Sequence, residues 1–180
     1  MSPLRQQPLT IEYALLGFLL ERPSYGYDIH QRLNDPAGLG HVWQIKQSKL
    51  YALLTKLEEK GYIAAEFEAQ DGRPPRKILQ LTEAGAQIFA EWVQTPVTHG
   101  RQLRLEFLAK LYFARMTAVA TELVARQRAA CQTWLQEQQT HAHELGAQRP
   151  YEALVVQFRI SQIEGMLRWL DVCEQQMSNE

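Results

Sequence analysis

Five basic residues of this 180-residue chain fall into two short runs. Lys49 and Lys56 stand with Ser48, Ala52 and Thr55 along one segment, and Arg73, Arg76 and Lys77 gather within five positions further on. That combination suits nucleic acid, because cations meet phosphates while hydroxyl and small side chains reach base edges. The bland alternative is that these groups solvate a helix and a hairpin of an unrelated domain. Other chemistries find little support. There is no Gly-rich phosphate loop, nucleophile elbow or closely spaced pair of catalytic carboxylates, so neither an enzyme nor a cofactor is expected. His141, His143 and Glu144 could be read as metal ligands, but residues two apart on a helix face different sides. A solvated surface and no metal is the expectation.

The elements that must position these residues read mostly as helix. Ile11, Leu15, Phe18 and Leu19 recur at helical spacing after Thr10, a suitable cap. Glu21-Arg22-Pro23-Ser24 ends that helix, and Ser24 is expected to cap a second over 25–33. Residues 34–40, dense in turn formers, predict a loop. A third helix follows, with Leu50, Leu53, Leu54 and Leu57 at i, i+3, i+4 and i+7 and Gly61 as its stop. The leucines take the buried face, which leaves Ser48, Lys49, Ala52, Thr55 and Lys56 outward. Residues 62–68 and 76–81 then read as two strands of one hairpin, with Asp71-Gly72-Arg73-Pro74-Pro75 as a stiff turn between them. Thr82 caps a fourth helix through Trp92 or Val93. The order helix–helix–helix–hairpin–helix is a winged helix-turn-helix, in which the third helix enters the major groove and the wing touches the backbone beside it. The fold class is therefore mainly α with one small β-hairpin, followed by long helices.

Residues 95–100 are the expected boundary between a DNA-binding domain, 1–95, and a helical domain, 96–180. Leu105, Leu108, Leu111, Tyr112 and Met116 share one helix, and Leu123 to Leu135 lie in another. A last helix is expected over 151–177, roughly 40 Å long. In it Val156, Ile160, Ile163, Leu167 and Leu170 are spaced 4-3-4-3, the pattern of a coiled-coil-like seam. Such a stripe is longer than its own domain is expected to cover. It predicts a homodimer, with Leu105, Leu108 and Tyr112 contributing the rest of the interface. Trp92, Trp134 and Trp169 either line a pocket for an aromatic effector or belong to the core.

Charge is balanced in both halves: ten Lys and Arg against eleven Asp and Glu over 1–95, nine of each over 96–180. Any basic surface must arise from where particular side chains point. No run of about 18 apolar residues marks a membrane span. The first residues lack the apolar stretch of a signal peptide, and Cys131 and Cys173 form no Cys-x-x-Cys pair. Reduced structural thiols in a cytoplasmic protein are the expectation.

Several stretches together resemble the PadR-like transcriptional regulators. They are Leu15-Leu16-Gly17-Phe18-Leu19 with Ser24-Tyr25-Gly26-Tyr27-Asp28-Ile29, the segment from Leu50 to Ile63, the wing Gly72-Arg73-Pro74-Pro75-Arg76-Lys77 with Leu81-Thr82-Glu83-Ala84-Gly85, and Leu103 to Phe113. The resemblance is strong over 11–90 and looser beyond. It implies a cytoplasmic homodimeric repressor that binds double-stranded DNA, with dimerisation through the C-terminal helices. Some members release DNA on binding a small, often aromatic, effector. Tyr27 and Tyr51 match tyrosines of the family motifs. Tyr51 is placed to set its hydroxyl on a phosphate, and Tyr27 either joins it or packs in the core. One departure stands at Lys46-Gln47-Ser48, where the family commonly starts the third helix with Ser or Thr and a small residue. A lysine cannot accept a hydrogen bond as a cap. A dimer would read a near-palindrome with half-sites roughly 34–36 Å apart. The competing reading is a winged-helix module that docks protein rather than DNA, and the balanced charge is its best argument.

Overall fold

A 3-10 turn over Thr10–Tyr13 runs directly into α1 (Ala14–Gly17), so the first helix is tighter at its start than the apolar spacing suggests. The computed structural model describes residues 10–70, 73–145 and 149–178, with the side chains of Thr10, Gln70, Arg73 and Pro74 left aside. The expected Thr10 cap and the Asp71–Gly72 tip of the wing thus lie outside the described residues. Next come β1 (Ser24–Tyr25), α2 (Gly26–Leu33), α3 (Gln47–Glu59), β2 (Ile63–Gln70), β3 (Arg73–Leu81) and α4 (Glu83–Gln94).

The hairpin is part of a three-stranded antiparallel sheet in the order β1-β3-β2. Ser24 pairs with Leu79 and Tyr25 with Ile78. This corrects the expected Ser24 cap. Ser24 Oγ donates to the Arg22 carbonyl at 3.4 Å, and α2 starts only after the extended Tyr25. The turn is also shorter than expected, because β3 runs through both prolines. Its register with β2 slips between Glu68 and Gln70, opposite that stretch. An irregular ladder tolerates residues that have no N–H to give.

Two stops and caps match their expectations. Gly61 adopts φ +73°, the left-handed conformation that ends α3 cheaply in glycine. Thr82 Oγ1 accepts the Gly85 N–H at 3.0 Å and donates toward the Gly61 carbonyl at 2.7 Å, so one hydroxyl ties the start of α4 to the end of α3.

Beyond α4, a 3-10 turn (Gly100–Arg104) leads to α5 (Glu106–Met116), α6 (Ala120–Glu144) and α7 (Pro150–Met177). The fully buried Phe113 of α5 meets Phe89 of α4 at 5.6 Å, edge to face. Gln127, also fully buried, clamps the connecting segment: its Oε1 accepts the Val97 N–H at 2.8 Å. Lys110, 3% exposed, donates to the Thr95 carbonyl at 2.7 Å and pairs with Glu106 at 3.3 Å. Burial pushes its ammonium below the ordinary lysine value, with Glu106 opposing.

α6 and α7 form an antiparallel pair. Arg128 near the start of α6 bonds Glu174 at 2.8 Å and also reaches Asp171, while His141 near its end faces Glu152 at 3.3 Å. Val156, Ile160, Ile163 and Leu170 are buried within the chain, on the same side as Cys173. This corrects the reading of that stripe as a surface for a second copy, since α6 is long enough to cover it. Leu167 and Tyr112 are partly buried against the core, Leu108 is half-buried, and Leu105 is open at 37%. The outward face of α7 instead carries Tyr151, Leu154, Phe158 and Val172. No helix among the described residues is long and apolar enough to cross a membrane.

Candidate nucleic-acid interface

Burial of Leu50, Leu53, Leu54 and Leu57 turns the other side of α3 to solvent. Ser48, Lys49, Tyr51, Ala52, Thr55 and Lys56 are all exposed. Lys46 precedes the helix in extended conformation and its side chain makes no capping bond, as expected. Lys49 makes no ion pair among the described residues. Tyr27 is 55% exposed and its hydroxyl accepts from Gln31 Nε2 at 2.8 Å, so it is a surface group and not core.

Between α3 and the wing lies a cleft of about 580 Å³ lined by Tyr25, Gly26, Tyr27, Asp28, Tyr51, Leu54, Thr55, Glu58, Arg76, Lys77 and Leu79. Tyr27, Tyr51 and Thr55 thus share one cleft with Arg76 and Lys77 of the wing. Gly26 is what lets them do so. A Cβ there would stand 2.8 Å from Tyr51 Cε1, so the tyrosine ring lies against bare backbone. Arg73 is on the same strand as Arg76, but its side chain lies outside the described residues.

Four residues on or behind this face have roles that the sequence did not assign. Tyr25 carries the Arg76 guanidinium over its ring at 5.8 Å and donates its hydroxyl to Glu68 at 2.5 Å. That hydrogen bond raises the tyrosine pKa above its ordinary value. Glu58 holds Lys77 at 2.6 Å. Glu12, only 1% exposed, holds Lys56 at 3.2 Å and Lys60 at 3.5 Å. Two of the expected phosphate ligands therefore already have carboxylate partners. The only hint in the sequence was the near-equal number of acids and bases.

A second cavity, about 920 Å³, lies among the 98–104 segment, α5, α6 and α7. Trp134 and Trp169 line it with Leu108, Met166 and three arginines, Arg101, Arg104 and Arg159. Gln138 also lines it, and its buried Oε1 has no hydrogen-bond partner among the described residues. Trp92 does not belong to this wall. It is 5% exposed, packed against Phe89 and beneath Lys110, so of its two expected places, pocket or core, it takes the core.

Residues 15–91 match the model of the transcriptional regulator PadR-like family, and residues 103–178 match that of the virulence activator alpha C-terminal family. The negative transcriptional regulator PadR of Bacillus subtilis is 31% identical over 103 residues, 57% of this chain and 56% of that protein. The chain spans about half the length of the curated relatives it matches. A PadR-like transcription factor from Bacteroides fragilis of known structure is 30% identical over 45% of this chain and 74% of that one, with a TM-score of 0.40. The structure of Bacillus subtilis PadR in complex with operator DNA is 24% identical, covering 94% of this chain and 99% of that one, with a TM-score of 0.49.

Proposed function

Because the chain belongs to the PadR-like family of transcriptional regulators, we propose that it is a DNA-binding repressor that acts as a homodimer in the cytoplasm. The observation that carries this reading is that Ser48, Lys49, Tyr51, Ala52 and Thr55 are all exposed on α3, with Tyr51 and Thr55 in one cleft with Arg76 and Lys77 of the wing. On it, Lys49 and Thr55 read bases while Tyr27, Tyr51, Arg73, Arg76 and Lys77 serve phosphates or a coarsely read minor groove. Repression is supported by the name of the Bacillus subtilis relative, a negative regulator.

The dimer uses the outward face of α7. Tyr151, Leu154 and Phe158 are 79%, 70% and 63% exposed at i, i+3 and i+7, an apolar row that a soluble chain usually covers. A two-fold pair of α3 helices then reads a near-palindrome. A small aromatic effector occupies the 920 Å³ cavity, with Trp134 and Trp169 as apolar walls and the arginines for an anionic group. Its binding releases DNA.

A mobility shift with the DNA upstream of the protein's own gene, read against salt, tests the reading. Tight, salt-sensitive binding that exceeds random DNA is the expected result. Replacing Lys49 or Thr55 should cost more on that DNA than on random duplex, by about 1–3 kcal/mol per good base contact. Absence of DNA binding at any salt overturns the proposal and leaves protein docking as the function of the face. A titration of aromatic acids into the complex tests release.

A further inference from the structure

We propose that Glu58 is the resident anion of the wing's phosphate seat, a built-in competitor that DNA must displace from Lys77. The inference rests on the DNA-binding reading above and adds to it a residue that weakens binding on purpose. Lys77 Nζ lies 2.6 Å from Glu58 Oε2, and both side chains are partly open, at 43% and 33%. The pair sits inside the cleft between α3 and the wing, beside Thr55, Tyr51 and Arg76. A phosphate reaching Lys77 from solvent therefore meets a carboxylate already in place.

A second carboxylate stands near the neighbouring cation, here without a direct ion pair among the described residues. Glu68 pairs across the sheet with Arg76 and takes the hydroxyl of Tyr25, over whose ring the Arg76 guanidinium lies. Carboxylates thus stand among the wing's cations rather than on a remote surface. The consequence is thermodynamic. Binding to random DNA draws essentially all its free energy from neutralising phosphates and releasing their counterions. When Lys77 leaves Glu58 for a phosphate, the freed carboxylate takes up a cation, which cancels part of that release. Base contacts from α3 are unaffected. The penalty therefore falls on the part of the affinity that every sequence shares, and what remains leans on base reading.

The test titrates random duplex at several salt concentrations with the full-length wild type, Glu58→Gln, Lys77→Met, the double variant, and Glu59→Gln. Glu59 is an exposed acid one residue along that makes no ion pair among the described residues. Glu58→Gln should bind random DNA about fivefold more tightly at low salt, the order expected for freeing a partly exposed ion pair. Its log–log salt slope should be steeper by up to about 0.9. In the Lys77→Met background the same change should have no effect, and Glu59→Gln should match wild type. Wild-type affinity in Glu58→Gln overturns the proposal. So does an equal gain with and without Lys77, or an equal gain from Glu59→Gln, since either marks general repulsion. These outcomes all leave wild-type DNA binding intact, whereas a wild type that binds no DNA overturns the DNA-binding reading as well.

Discussion

Phe18 and Phe113 meet edge to face, with ring centroids 5.3 Å apart and ring planes at 83°. Phe18 closes the first helix of the chain, and Phe113 comes from α5, far along the sequence. A Cβ on Gly17 would fall 2.5 Å from the Phe113 ring, so the aromatic plug fits only against glycine. The leucines of α3 belong to the same core, so α5 contributes directly to holding that helix. Phe113→Ala should destabilise the whole chain by about 3–5 kcal/mol in urea unfolding, with DNA binding lost in proportion to the unfolded fraction. A loss below 1 kcal/mol would show that α5 only leans on the N-terminal core.

A second prediction concerns Gly26 and Tyr51. An alanine at the first position of α2 is good for a helix, but its methyl must push the Tyr51 ring away. The ring is a flexible side chain, so the fold should survive. Gly26→Ala should unfold like wild type and bind DNA more weakly by about 1 kcal/mol, the worth of one hydrogen bond. Calorimetry and a binding titration on the same sample separate the two. Unchanged binding would remove Tyr51 from the phosphate ligands.

Much of this arrangement was legible in the sequence, for definite reasons. The leucines of α3 face inward because a 3.6-residue period leaves one stripe to bury, and Thr82 caps α4 through a local bond to Gly85. β1 was not legible, because two residues carry no period and a serine before a helix looks like a cap. Its pairing with Leu79 is a tertiary fact. The stripe from Val156 to Leu170 announced a seam but not whose helix would fill it. The same 4-3 spacing serves α6 of the same chain or a second copy. Lys56 and Lys77 are exposed cations, yet their partners lie 44 and 19 residues away, where no spacing rule reaches.

Alkaline pH offers a third prediction. Burial pushes the Cys131 and Cys173 thiols above their ordinary value of 9.0. A thiol that ionises more readily unfolded than folded contributes stability that is whole below pH 9 and is lost as pH climbs toward its folded value. Tyr13, raised chiefly by burial, acts in the same direction at higher pH, and the lowered Lys110 acts in the opposite one. Comparing wild type with Cys131→Ala/Cys173→Ala isolates the thiols. Urea midpoints should fall less steeply above pH 9 in the variant, whatever its stability at neutral pH. Parallel curves would mean that the thiols ionise alike in both states.

The last prediction separates the two faces of α7. Leu170 is fully buried against the chain's own core, while Leu154 and Phe158 stand 70% and 63% exposed one and two turns from the helix start. An acid placed on the inner face must lose its water without a partner, so Leu170→Glu should unfold the α6–α7 pair. An acid on the outer face stays solvated in a single chain and is desolvated only when a second copy covers it. Leu154→Glu/Phe158→Glu should therefore keep wild-type helix content and thermal stability at low concentration, yet sediment as a monomer where the wild type sediments as a dimer. Its affinity for a palindromic operator should fall toward that for a single half-site, because the two reading helices no longer arrive together. A double variant that remains dimeric would move the interface off this face. A wild type that is itself monomeric at every concentration would remove the dimer, and the palindrome with it.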